Sequence, residues 1–234
     1  MLTVGTRGRQ AVGTKEAIMA TAERLFAEHG VTAVSSRQIS EAAGQGNNAA
    51  VGYHFGAKSD LIRAIVRRHD AEIEQSRRLM VERLGVGGVD GAAVADDVDD
   101  AAGPGVRVWI ECLVRPHTDH LAAAGRPSWY ARFSLQVHTD PALREIVTDE
   151  ILAAPSLGRI GRGLQIELSG LAEDVRRERF EMLRSLIMHT CADRERALAA
   201  SAEPLEPAWR HTGALLVDAI TGLLLAPSSV ESDA

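Results

Sequence analysis

The feature that most narrows the fold is the turn GQGNN at 44–48, where Gly44 and Gly46 separate two short helical runs. Before it, Ser35 or Ser36 can cap a helix that holds Ile39, Ala42 and Ala43. After it, Asn47 or Asn48 can cap another that reaches about Tyr53. A longer helix precedes the pair. Thr14 is a capping residue with Glu16 in the first turn, and Ile18, Ala22, Leu25 and Phe26 then recur at i, i+4, i+7 and i+8. Gly30 suits the left-handed position that ends that helix. A fourth helix is expected from Ser59, its cap, to about Leu84, with Leu61, Ile62, Ile65, Val66 and Ile73 on one side. Two short helices joined by a glycine turn and braced by a longer one follow the helix-turn-helix plan.

That plan makes chemical demands. The second short helix must fit a DNA major groove, present polar groups outward and be held from behind by small apolar residues. The run Asn47, Asn48, Ala49, Ala50, Val51, Gly52, Tyr53, His54 meets them. An asparagine amide donates and accepts in one plane and can pair with an adenine edge, and alanine can touch a thymine methyl. Tyr53 and His54 can bond phosphate oxygens, and Lys58, just before the fourth helix, can grip a phosphate with that helix's N-terminal amides.

Beyond the fourth helix, residues 85–105 are Gly, Ala and Asp with nothing larger than valine, and are expected to form a mobile loop. Helices are then expected near 105–123, 127–138, from Asp140-Pro141 with a break near Pro155 to about Ser169, 172–200, and 206–225. No strand pattern and no internal repeat stands out. The fold class is therefore all-α. It divides into an arm at 1–13, a helix-turn-helix domain at 14–60 and a larger helical domain at 61–234.

The net charge of −6 is unusual for a DNA binder, but the acidity is concentrated at 85–105, while residues 1–40 carry a slight basic excess. Cys112 and Cys191 stand far apart and form no CxxC pair, which suits a reduced cytoplasm. The N-terminus lacks the apolar core of a signal peptide, and the most apolar run, 213–226, is too short for a membrane span. No GxSxG, Walker or Rossmann motif occurs. His117 and His120 have the spacing of a metal pair without a third ligand, so neither an enzyme nor a cofactor is expected.

Residues 14–61, TKEAIMATAERLFAEHGVTAVSSRQISEAAGQGNNAAVGYHFGAKSDL, resemble the DNA-binding domain of the tetracycline-repressor (TetR) family. The resemblance rests on LFAEHG, RQISEAAG, YHF and the K-S-D-L entry to the fourth helix; the turn GQGNN is one residue longer than the common pattern. It implies a homodimer with a variable ligand domain and repression relieved by a small molecule. It also implies DNA contacts on Ser35, Arg37, Gln45, Asn47, Asn48, Tyr53, His54 and Lys58.

In the C-terminal half, Leu183, Leu186, Ile187, Leu215, Leu216, Ala219, Ile220 and Leu223 can form half of an intermolecular four-helix bundle. A symmetric dimer would read a palindromic double-stranded operator. A pocket for a mostly apolar ligand is expected among Trp109, Cys112, His117, Trp129, Tyr130, Phe133 and Val137. Two other functions remain open from sequence: a helical small-molecule binder that does not read DNA, and an enzyme using the C-terminal pocket.

Overall fold

The computed structural model describes residues 4–84, 104–152 and 154–229. Among these residues it contains ten helices and no strand. The loop expected at 85–105 falls outside the described residues except for its last two.

The first four helices form the N-terminal unit: α1 Val4–His29, α2 Ser36–Ala42, α3 Ala50–Phe55 and α4 Lys58–Arg83. Where an arm was expected over 1–13, α1 already runs from Val4. The ten residues before Thr14 contain no proline; their glycines weaken a helix by about 1 kcal/mol each without stopping it. Ser35 caps α2 as expected: its hydroxyl accepts the Gln38 N–H at 3.3 Å, and the Gln38 side chain accepts the Ser35 N–H at 2.8 Å. This reciprocal pair is a capping box. Gly44 turns the chain at φ +66°, a conformation that few side chains tolerate. Two starts differ from expectation. Asn47 does accept the Ala49 N–H at 2.9 Å, but α3 begins only at Ala50. α4 begins at Lys58 rather than after a Ser59 cap, because Asp60 reaches back to the Ala57 N–H at 3.1 Å.

The larger unit comprises α5 Val106–Ala123, α6 Tyr130–Thr139, α7 Pro141–Leu152, α8 Pro155–Glu167, α9 Glu173–Ala199 and α10 Leu205–Leu225. The Asp140-Pro141 start is present, with Asp140 Oδ1 accepting the Ala142 N–H at 2.9 Å. The chain is cis at Arg126-Pro127. α10 lies along α5, α6 packs on α9 and α1, and α4 runs past α5, α7 and α8. α8 approaches α5 so closely at Gly163 that a Cβ there would lie 2.2 Å from Trp109 Cε2. One continuous core results, from Ile18, Ala22 and Phe26 through Ile65, Ile110 and Phe133 to Ile220. No helix among the described residues is long and apolar enough to cross a membrane.

Candidate functional site

α3 is sharply two-sided. Ala50 and Val51 are buried, and the Val51 N–H donates to the Oγ of buried Ser40 at 3.3 Å, which ties the two short helices together. Sequence reading missed Ser40; a serine on the apolar side of α2 was the available signal. The opposite face carries exposed Asn48, Ala49, Gly52 and Tyr53, the last with 83% of its surface accessible. His54 is half-buried and meets the Tyr53 ring edge-on at 4.9 Å. Arg37 projects from α2 into solvent. Ser35 is exposed but caps α2, exposed Asn47 accepts the Ala49 N–H just ahead of α3, and Gln45 is half-buried and donates to the Ala43 carbonyl at 3.1 Å.

Lys58 departs from the sequence expectation. Its ammonium donates to the Val31 carbonyl and, at 2.6 Å, to the Val34 carbonyl, beneath the Phe26 ring at 5.6 Å. Burial lowers its pKa. This cation holds the α1–α2 loop against the start of α4 instead of standing free for a phosphate. The two carbonyls have no helical partner, which is why a long donor is drawn inward.

The second site is a cavity of about 420 Å³ bounded by α4, α5, α6, α8 and α9. Of the pocket residues expected from sequence, His117 and Tyr130 line it. Trp109, Cys112, Phe133 and Val137 are core residues that do not line it. Trp129 lies on a different depression, stacked under the Arg132 guanidinium. Instead α8 and α9 supply much of the wall: Leu157, Ile160 and Leu164 from one, Phe180, Leu183 and Ile187 from the other. Leu183 and Ile187 therefore belong to the cavity, not to an outer bundle face. Burial in this setting holds His117 at a pKa of about 3, with Arg77, His120, His138 and His69 adding to the effect.

Other residues expected at a dimer contact divide by helix face. Leu216 and Ile220 are buried on the side of α10 that packs within the chain, while Leu186 and Leu223 are half-buried. Leu215, at 55% exposure, and Ala219 face outward. Periodicity marked α10 as apolar nearly all round and could not say which stripe its own chain would cover.

α6 joins the two sites. Tyr130, Ser134 and His138, at i, i+4 and i+8, face the cavity. From its other side, Gln136 donates to the Phe26 carbonyl at 2.8 Å and accepts the Val31 N–H at 2.9 Å. Beside it, Phe133 stacks on Phe26 at 6.0 Å. A second junction surrounds His69 of α4. It contacts Glu23 of α1 at 2.8 Å and His120 of α5 at 2.7 Å, and stacks on the Tyr130 ring at 3.7 Å.

Residues 18–65 match the family model of bacterial regulatory proteins of the tetR family. The HTH-type transcriptional repressor AcnR of Corynebacterium efficiens is 33% identical over 69 residues, which are 30% of this chain and 36% of the repressor. The chain thus aligns with about a third of the length of that curated relative. A solved tetR-family transcription regulator from Shewanella sp. PV-4 shares the fold, with a TM-score of 0.53 at 16% identity over 88% of this chain and 97% of that one. A TetR-family regulator from Streptomyces coelicolor A3 is 22% identical, with a TM-score of 0.41 over 90% and 94% of the two chains.

Two outcomes follow from the buried polar groups. Lys58→Met should lower the free energy of unfolding by about 1–3 kcal/mol in urea titrations, because two carbonyls lose their donor; an unchanged midpoint would return Lys58 to the surface. For His117 the folded pKa is depressed, so its contribution to stability is present above the unfolded value of about 6.5 and is lost as pH falls. Between about pH 7.5 and pH 5 the wild type should lose roughly 2 kcal/mol more than His117→Gln. Parallel losses in the two chains would mean that the imidazole takes up protons freely in the folded state.

Proposed function

From the premise that this chain carries the DNA-binding domain of the tetR family of bacterial regulatory proteins, we propose that it is a cytoplasmic transcriptional repressor. It would bind a palindromic operator as a homodimer and release it when a small, mostly apolar molecule fills the cavity. The observation that carries this reading is the outward face of α3. Asn48, Ala49, Gly52 and Tyr53 stand exposed together on a short helix whose back is anchored by Ala50, Val51 and Ser40. The Tyr53 ring meets the edge of His54 and otherwise stands open to solvent.

In this reading, Asn48 and Ala49 address base edges, while Tyr53, His54 and Arg37 bond phosphate oxygens. Ser35, Gln45 and Asn47 hold the ends of α2 and α3 and offer their remaining hydrogen-bonding capacity to the backbone. Lys58 acts indirectly, by fixing the loop before α2. The symmetric contact would use the outward stripe of α10, where Leu215, Ala219, Gly222 and Leu225 are exposed. Small residues in that stripe allow helices to approach closely.

Release would be a shift between two orientations of the reading heads. A ligand moves that equilibrium only by the difference in its affinity for the two. Tyr130, which borders the cavity and stacks on His69 beside Glu23 of α1, provides a contact path to the head.

Selection of bound duplexes from a random pool should return a palindrome with half-sites about one helical turn apart. On the selected operator, Tyr53→Ala should weaken binding about tenfold for all sequences and leave the salt dependence unchanged, because a neutral hydroxyl displaces no counterion. Asn48→Ala should change the base preferred at one position in each half-site. Both variants should unfold like the wild type. A pool that yields no enriched sequence would remove the repressor reading.

A further inference from the structure

The cavity contains a specific vacancy in its hydrogen bonding. Its polar side chains are almost all committed. Tyr130 donates to Asp70 at 3.3 Å, His138 Nδ1 lies 2.9 Å from the Ser134 carbonyl, Ser134 Oγ donates to Met188 Sδ, and Arg184 bonds Glu181 and the His138 carbonyl. Four buried side-chain nitrogens among the described residues have no partner, and two of them, Nε of Arg77 and Nε2 of His117, belong to this cavity's wall. Both residues line the cavity, and each retains only 8% of its surface. Leaving such a group dry and unpaired costs about 1–3 kcal/mol. The Arg77 Nε can only donate, so whatever satisfies it must bring an acceptor.

Charge balance restricts the acceptor further. Arg77 already pairs with Glu74 at 3.1 Å, and Asp70 sits on the same wall. Beside Arg77 an incoming carboxylate would be a third negative group, and the cavity's other guanidinium, Arg184, already pairs with Glu181. An ammonium would have to approach Arg77 itself and, at the other end, Arg184. The remaining walls are hydrocarbon from Ile73, Leu113, Ile160, Leu164, Phe180 and Ile187. The volume of about 420 Å³ is that of a small-molecule site.

We infer that this cavity binds an uncharged, largely apolar molecule carrying one accepting oxygen, such as the carbonyl of an ester, ketone or lactone, held between Arg77 and His117. The inference rests on reading the cavity as the effector site and specifies what that site accepts. The carbonyl oxygen takes the Arg77 Nε–H, the imidazole of His117 supplies the second hydrogen bond, and the hydrocarbon part fills the wall between α8 and α9.

Four probes of matched shape decide it: methyl octanoate, octanoic acid, octylamine and octane, compared by thermal melting of the full chain at matched free concentrations. The ester should bind at least about tenfold more tightly than each of the other three. Arg77→Lys, which keeps the charge beside Glu74 but loses the Nε donor, should bind the ester about tenfold more weakly and octane unchanged. His117→Leu should do the same, and His117→Gln should restore most of the loss. Tightest binding of the acid or the amine, equal binding of ester and octane, or no stabilisation by any probe would overturn the inference. So would ester binding indifferent to both substitutions, the result if ordered water already satisfies the two nitrogens. Operator binding by the ligand-free chain is scored separately by gel shift. If it persists whichever probe wins, only the ligand class has failed; if no duplex is bound while the ester is, the repressor reading has failed.

Discussion

One carboxamide fixes how the N-terminal helices sit on the rest of the protein. Gln136 donates to the last turn of α1 at Phe26 and accepts from Val31 in the loop that follows. Only a group that donates and accepts in the same plane can close both ends of that bend. The loop it secures is the one whose carbonyls Lys58 binds, and whose end, at Ser35, caps α2. α2 in turn holds α3 through Ser40. The orientation of the exposed Asn48–Tyr53 surface is thus inherited, bond by bond, from a side chain of α6.

This explains why α6, only ten residues long, can serve two purposes. Its Tyr130–Ser134–His138 stripe borders the cavity, and its Phe133–Gln136 side holds α1. A rotation or slide that accommodates a ligand on one stripe must move the groups on the other, because a helix is stiff across its own diameter and the surrounding core is close-packed. The buried Glu195 of α9 holds the start of α6 by accepting the Ala131 and Arg132 N–H groups at 3.1 Å each. That end of α6 is thereby tied to α9.

The sequence made the elements legible and left their partners obscure. Apart from the shifted starts of α1, α3 and α4, the helices lie close to where apolar spacing, caps and prolines put them, because those signals are local. The early start of α1 was hidden, since glycines at Gly5, Gly8 and Gly13 look like an arm until the chain shows that nothing else interrupts it. The outward face of α3 was readable from small residues behind and polar ones in front. Lys58 was not, because two unpaired carbonyls 24 and 27 residues away draw it inward and no local pattern records them. The cavity was placed on the right helices of one side, at His117 and Tyr130. Leu183 and Ile187 were read as an outer surface because a stripe of leucines looks the same whether it meets a ligand, its own chain or a second copy.

The α6 carboxamide sets the orientation of the exposed face of α3, and through it the proposed contact with DNA. The most direct measurement is the operator affinity of Gln136→Leu, a change far from any base or phosphate contact and close in volume to the original residue. That chain should still fold cooperatively yet bind operator at least about tenfold more weakly, from a mis-set reading helix rather than a lost contact. Wild-type affinity in that chain would contradict it.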